Sequence, residues 1–218
     1  MTRANMPSAV VAGASSLVGI LSRAAVVPLT VEQFQRMIEE GIVPEDGTVE
    51  LLLGVMVRKD RSVSGEDPTG HSPLHVLVVS LLTALARRID AAAGYMQIQL
   101  PVVCPPDGAP EPDAAIVRGA PRDYLGRMIT AADVSCVIEV SHSSLDRDRD
   151  DKLAIYAEAG IGQYVIVNLQ NMTVEVYEGP DAAGEQYRTR ATLERGEMVG
   201  LKLPSGAIFS VPAAEILP

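Results

Sequence analysis

The sequence contains no tryptophan, only two phenylalanines and only two cysteines among its 218 residues. With so few aromatic rings, the core is expected to be aliphatic, and stacking of bases on aromatic side chains is a disfavoured mode of nucleic-acid binding, although six tyrosines remain. Two cysteines without CxxC spacing indicate neither a disulfide framework nor a zinc site. We expect Cys136, which lies in an apolar strand pattern, to be a buried free thiol, which fits a reducing cytoplasm.

Positive charge is also scarce. There are 18 Lys and Arg residues against 28 Asp and Glu residues, and the formal net charge is −10. An acidic protein repels the phosphate backbone of a nucleic acid at long range, which argues against a tight nonspecific DNA-binding protein. It does not exclude a nuclease, because a cluster of carboxylates can be neutralised by the metal ion that it binds.

Long apolar runs are absent, since none reaches the roughly 18 residues that a membrane-spanning helix needs. The apolar stretch at residues 9–21 resembles a signal peptide only weakly, because it is rich in Ala, Gly and Ser and is followed by Arg23. We therefore interpret residues 1–27 as an N-terminal extension, loosely ordered or packed as an extra segment, and predict a cytoplasmic protein. Residues 28–205 are predicted to form one domain and residues 206–218 a C-terminal tail.

The hydrophobic pattern of the domain predicts the order α-β-β-α-β-β-β-α-β-β, followed by two further short strands, which is an α/β (α+β mixed) fold. Capping signals begin two helices, Thr30 with Gln33 and Ser72 with Pro73. The nearly continuous apolar run Val134–Ser141 indicates a central strand, and the strand after the third helix should lie parallel to it. The remaining predictions are two strands in Thr48–Lys59 joined near Gly54, strands at Tyr95–Val103, Ala114–Arg118, Gln163–Leu169, Thr173–Glu178, Gln186–Leu193 and Met198–Leu203, and a helix at Asp146–Ala159.

Two carboxylates stand at unexpected places in this pattern. Glu139 interrupts the apolar strand, where an unpaired charge costs on the order of several kcal/mol. It is therefore paired, protonated or metal-bound, unless it is solvated at the open end of the strand. Asp113 follows Pro112 at the start of another strand, where a turn residue is the simpler interpretation. On adjacent strands, however, Asp113 and Glu139 can share a cation such as Mg²⁺ or Mn²⁺ that orients a water for attack on phosphorus.

Three further residues are candidates for the same site. Lys152 lies on the helix after the Glu139 strand, so its side chain can reach the strand end and polarise a water or neutralise a phosphate. Alternatively, Lys152 forms a surface ion pair with Asp148. Glu50 can add a carboxylate or be an exposed residue at a strand start. His75, one turn into the second helix, is more simply interpreted as a helix-surface residue. No GxSxG motif supports a serine hydrolase.

The succession of Asp113, Glu139-Val140-Ser141 and Lys152 resembles the active-site pattern of the PD-(D/E)xK nucleases. The similarity is closest to the Uma2 family of restriction-endonuclease-like proteins and extends over roughly residues 28–205. Each shared motif is weak alone, but their order and spacing are specific. The motifs are PLTVE (28–32), VELLLG (49–54), SPLH (72–75), EPDAAI (111–116), VIEVS (137–141), DKLAIYAEAG (151–160), QYVIVN (163–168) and TVEVY (173–177).

The resemblance implies a restriction-endonuclease-like mixed sheet flanked by helices, with a metal site at the strand ends. It makes Asp113 and Glu139 the ligands of Mg²⁺ or Mn²⁺, Glu50 the early acidic residue and Lys152 the lysine on the helix, in an endonuclease that hydrolyses DNA. The lysine usually found two residues after the Glu is Ser141 here. That departure favours the alternative, a catalytically inactive nuclease-fold module that binds or regulates.

Other features also bear on function. Arg147 and Arg149 keep the segment before the third helix basic, and Asn168 stands where an acidic residue is often found in the family that the chain resembles. We expect a homodimer under either interpretation, because symmetric dimers are common and because an endonuclease needs two sites to cut two strands.

Overall fold

The structure, a computed structural model, describes residues 27–45, 47–58, 72–89 and 94–218, so residues 1–26 of the predicted extension lie outside the described residues. The helices are α1 (Val31–Glu39), α2 (Pro73–Ala86), α3 (Leu145–Arg147) and α4 (Leu153–Glu158), and a π-helical segment, Asp148–Lys152, joins α3 to α4. The strands are β1 (Val49–Leu52), β2 (Val55–Arg58), β3 (Tyr95–Ile98), β4 (Ala114–Val117), β5 (Val134–Ser141), β6 (Gln163–Asn168), β7 (Thr173–Asp181), β8 (Gln186–Leu193), β9 (Met198–Lys202) and β10 (Ile208–Pro212).

Six strands form the central sheet in the order β3-β4-β5-β6-β7-β8. The two middle strands, β5 and β6, run parallel, and all other neighbours are antiparallel. β4 and β6 are buried along their whole length, as expected for strands that are covered on both faces. The predicted mixed sheet flanked by helices is therefore confirmed, and so is the parallel pairing of its two central strands.

Each face of the sheet packs against a different apolar layer. One layer is aliphatic and includes Val78 and Leu82 of α2. The opposite layer contains a tyrosine cluster, in which the ring centroids of Tyr156 and Tyr164 are 5.1 Å apart and those of Tyr164 and Tyr177 are 5.8 Å apart. The prediction of an aliphatic core is wrong for this second layer, because a buried tyrosine can pack its ring against carbon while its hydroxyl bonds a polar group.

The capping and turn signals of the sequence are confirmed by hydrogen bonds. The hydroxyl of Thr30 accepts the N–H of Gln33 at 3.3 Å, and the Gln33 side chain accepts the N–H of Thr30 at 2.9 Å. The hydroxyl of Ser72 caps α2 by accepting the N–H of His75 at 3.2 Å. β1 and β2 pair as an antiparallel hairpin that turns at Gly54, whose φ of 72° suits a glycine.

The residues after 205 do not extend from the domain as a tail. β10 pairs antiparallel with β9 along its whole length. Val211, Ile216 and Leu217 are almost completely buried in the aliphatic layer. The prediction of a tail is therefore corrected: this segment is too short to show a clear period, yet its apolar side chains complete the core.

The composition gave two expectations that bear on the fold. Cys136 is a buried free thiol, as predicted, and Cys104 is another. Among the described helices, none combines the length and the apolar character that a membrane crossing requires.

Candidate active site

Glu139 lies on β5, in the middle of the sheet, with only 4% of its surface exposed. Its Oε1 atom accepts two hydrogen bonds, one from Nζ of Lys152 at 2.9 Å and one from the hydroxyl of Tyr156 at 2.8 Å. In the described part of the chain, no donor bonds the Oε2 atom. The carboxylate is therefore paired inside the protein rather than solvated at a strand end, and only one of its two oxygens accepts a hydrogen bond from the described residues.

Asp113 immediately precedes β4, and the register of β4 with β5 places it beside Glu139. Its Oδ2 atom accepts the N–H of Val140 at 2.8 Å. Its Oδ1 atom lies 3.2 Å from Nε2 of His75 and 3.3 Å from Nε2 of Gln99. Asp113 is thus a buried neighbour of Glu139 and not a solvated turn residue.

His75 reaches this cluster from the first turn of α2. The side chain is only 16% exposed and its Nε2 faces the carboxylate of Asp113, so the interpretation of His75 as a helix-surface residue is wrong. The Ser72 cap predicts where the helix begins, but the side to which its first turn faces depends on how α2 packs on the sheet.

Lys152 belongs to the π-helical segment and is 6% exposed. Its ammonium nitrogen lies 2.9 Å from Oε1 of Glu139 and 3.3 Å from Oε1 of Glu50. Glu50, on β1, is also buried, and its Oε1 accepts the N–H of Glu111 at 2.7 Å. The structure therefore brings Lys152, Glu50 and Glu139 together as the sequence expects, and the surface pair of Lys152 with Asp148 is not formed.

Asp148 is a buried carboxylate whose place the sequence analysis missed. It is 2% exposed, and it accepts hydrogen bonds from the hydroxyls of Ser141 and Ser144. Ser141 stands at the usual lysine position, and its hydrogen bond to Asp148 connects the π-helical segment to the end of β5. Two serines shortly before the aspartate were the available signal, but the same pattern is common at helix starts on the surface.

The cluster holds more negative than positive charge. Glu50, Asp113, Glu139 and Asp148 are all buried near the ammonium group of Lys152. Burial raises the pKa of Glu139 to about 8, because the favourable charge of Lys152 is opposed by the three other carboxylates. Burial would also raise the pKa of Asp113, but the hydrogen bond and charge of His75, together with the N–H of Val140 and the charge of Lys152, outweigh it and lower that pKa.

This donor set fits a hard divalent cation. Mg²⁺ and Mn²⁺ prefer carboxylate oxygens, and Mg²⁺ commonly takes one or two protein carboxylates together with several waters. Asp113 and Glu139 are neighbouring carboxylates, and Oε2 of Glu139 has no donor within the described ranges. In those ranges, no three or more His, Cys, Asp or Glu side chains are grouped so that they could hold a metal ion by themselves. An ion here would therefore need water or substrate oxygens in addition.

Comparison with known proteins bears on both the family and the fold. The model of the Uma2 family, described as "Putative restriction endonuclease", matches residues 31–211, a range that includes all four predicted site residues. A crystal structure of a "putative nuclease belonging to DUF820" from Anabaena variabilis is similar with a TM-score of 0.60 and 15% identity, over 87% of this chain and 97% of that chain. At this identity the likeness shows the fold alone. A comparison with curated proteins found no significant match.

Proposed function

The chain belongs to the Uma2 family, and from this premise we propose that it is an endonuclease that uses Mg²⁺ or Mn²⁺ to hydrolyse phosphodiester bonds of DNA. The observation that supports the proposal is the buried cluster of Glu50, Asp113 and Glu139 with the ammonium group of Lys152. Buried carboxylates in excess of their counterions are costly in a site that serves structure only, and they are the ligands that a hard cation requires.

In this proposal Asp113 and Glu139 hold the ion. When bound, a divalent ion lowers the pKa of a coordinated water and neutralises the charge that develops on the attacked phosphate. The N–H of β5 and the ring of His75 fix the two oxygens of Asp113. Tyr156 and Lys152 both bond Oε1 of Glu139, so Oε2 would be the oxygen that binds the ion.

Lys152 supplies the positive charge that Ser141 cannot. A cation beside the reacting phosphate stabilises the negative charge that develops in the transition state. The ammonium group is already fixed by Glu139 and Glu50, and it can exchange one of these carboxylates for a substrate oxygen. Glu50 then acts as the residue that positions Lys152.

A cleavage assay tests the proposal on double- and single-stranded DNA and on RNA, each with EDTA, Mg²⁺ or Mn²⁺. We expect DNA to be cut only with a divalent ion, and Asp113→Ala or Glu139→Ala to abolish cleavage. Arg127→Gln is the matched control, because Arg127 bonds Asp133 at the opposite end of β5, and it should cut like the wild type. Wild-type protein that cuts none of these substrates with either ion would refute the proposal.

The alternative is a nuclease-fold module without activity, and one observation favours it: Ser141 occupies the usual lysine position and bonds Asp148. Calorimetric titration with Mg²⁺ separates the two functions. Binding heat and a raised melting temperature, both lost in Glu139→Ala, support the enzyme, because a ligand of the folded state stabilises it. A silent titration with an unshifted melting temperature supports the module.

We also propose that the protein works as a homodimer, since cutting both strands of a duplex needs two sites. Sedimentation at the concentration used for cleavage measures this directly. A monomer that makes double-strand breaks would contradict the proposed dimer without affecting the proposed chemistry.

A further inference from the structure

A further buried carboxylate lies outside the cluster described above. Glu175, on β7, is 1% exposed. It pairs across the sheet with Ile166, which in turn pairs with Glu139. Glu175 and Glu139 therefore lie on the same face of the sheet, two strands apart, which is about 10 Å at the usual spacing of strands.

Two arginines from different elements converge on Glu175. Nε and Nη2 of Arg149, from the π-helical segment, both donate to its carboxylate, and Nη2 of Arg190, from β8, donates at 2.9 Å. The hydroxyl of Tyr177 and the side-chain amide of Asn168 donate at 2.6 Å and 2.9 Å. Burial alone would raise the pKa of Glu175, but the bonds from Arg149, Tyr177 and Asn168 and the charge of Arg190 outweigh it and lower that pKa to about 2. The carboxylate is therefore ionised.

The cluster contains one positive charge more than Glu175 neutralises. A carboxylate has about four acceptor positions, and Arg149, Tyr177 and Asn168 already supply four donors. Arg190 adds a fifth donor and a second positive charge, which is one charge more than the single carboxylate neutralises. Its side chain is half exposed, and its guanidinium lies over the Tyr177 ring, 5.5 Å from the ring centre.

Both guanidinium groups are fixed on their inner edge and open on their outer edge. Nη1 of Arg149 and both Nε and Nη1 of Arg190 bond no acceptor in the described part of the chain, and the Arg149 side chain is 31% exposed. Planar donors that are held in place and accessible from solvent are suited to phosphate oxygens.

We propose that Arg149 and Arg190, held by Glu175, bind a backbone phosphate of the DNA beside the phosphate that is cut. This inference rests on the proposed nuclease function. Arg149 and Lys152 belong to the same five-residue segment, so the position of the arginine pair is tied to that of the carboxylate cluster. In a chain of net charge −10, two guanidinium groups held on one carboxylate offer a backbone phosphate fixed donors on a surface that otherwise repels it.

Fluorescence anisotropy of a labelled duplex tests the inference, measured in Mg²⁺ over a range of salt concentrations. All variants are made in a Glu139→Ala parent, so that no duplex is cut. Arg190→Gln should weaken binding several-fold, and the slope of log K against log salt should fall by about one. Arg190→Lys should keep the slope while losing part of the affinity, because it retains the charge without the planar fork.

Arg127→Gln is the matched control. Arg127 is also half exposed and also bonded to a carboxylate, but it lies about 20 Å away along β5. It should leave affinity and slope unchanged. Equal binding by Arg190→Gln and Arg127→Gln would overturn the inference, and so would a parent that binds no duplex. In the otherwise wild-type enzyme, Arg190→Gln should raise KM with little effect on kcat.

The same measurements distinguish a failure of the proposed nuclease function from a failure of the proposed phosphate site. A wild-type protein that binds the duplex through Arg190 but never cuts it overturns the nuclease proposal and leaves the phosphate site standing. The melting temperature with and without inorganic phosphate, at constant ionic strength, tests whether the site binds free phosphate instead. If phosphate raises the melting temperature only when Arg190 is present, while Arg190→Gln binds the duplex normally, the site takes free phosphate and the assignment to the DNA backbone is wrong.

Discussion

The ammonium group of Lys152 lies between two buried carboxylates, Glu139 at 2.9 Å and Glu50 at 3.3 Å. Since neither carboxylate is solvated, the lysine is a counterion of the folded protein as well as a candidate catalytic group. Removing one partner of a buried ion pair leaves an uncompensated charge, which is more costly than the loss of the pair itself. Stability and activity are therefore linked at this side chain.

Lys152→Met keeps the apolar stem and removes the charge. We expect the free energy of unfolding without divalent ions to fall by about 3 kcal/mol or more, and cleavage to fall by about a hundredfold or more. Mg²⁺ should restore part of the lost stability, because it replaces the missing positive charge. Urea unfolding with EDTA and with Mg²⁺, together with single-turnover cleavage, measures both effects. Unchanged cleavage by this variant would contradict the catalytic role of Lys152.

Glu139 makes the stability of the metal-free protein depend on pH. Its pKa rises from 4.5 to about 8 in the folded protein because of burial. Between these values the folded state binds more protons than the unfolded state, so the free energy of unfolding falls as the pH rises from about 4.5 to about 8. Glu139→Gln should remove this dependence. The measurement is the melting temperature of both proteins against pH in EDTA, and parallel curves would show that Glu139 does not titrate there.

At the scale of elements, the π-helical segment between α3 and α4 determines what the site contains. It supplies Asp148, Arg149 and Lys152, which respectively bond Ser141, Glu175 and the carboxylate cluster. A π-helical segment departs from the regular α-helical spacing and is often found at functional sites. Three neighbouring side chains are thereby directed to three different partners on the same sheet.

Ser141→Ala tests how this segment is fixed to β5. The variant removes a hydroxyl that bonds the buried carboxylate of Asp148, and we expect unfolding to become easier by about 1 to 3 kcal/mol. Ser210→Ala, at an exposed position of β10, is the control and should change stability by about 0.5 kcal/mol or less. Chemical denaturation of both variants gives the comparison. Equal stabilities would mean that Ser141 does not hold the segment.

At the scale of the whole molecule, the C-terminal residues close the aliphatic layer beneath the sheet. We expect Ile216→Ala, at a fully buried position, to lower the free energy of unfolding by about 2 to 5 kcal/mol. Ile208→Ala removes the same atoms from a side chain that is 54% exposed, and it should cost clearly less. Thermal and urea unfolding of the pair measure the difference. A loss in Ile216→Ala as small as that expected for Ile208→Ala would argue that the burial of Ile216 contributes little to folding.

Much of the fold follows from the sequence by local rules. The apolar run of β5 predicts a strand covered on both faces, and the caps at Thr30 and Ser72 mark two helix starts. Glu139 stands out because a charge within such a run needs a partner wherever the strand lies. These predictions hold because they depend on near neighbours along the chain.

What only the tertiary structure decided is which distant groups meet. The sequence does not show that His75 faces Asp113, that Asp148 is buried, or that two arginines share Glu175. Periodicity predicts that a side chain points toward the core, but not which side chain of another element it finds there. That depends on strand order, register and the direction of each helix, which are properties of the folded sheet as a whole.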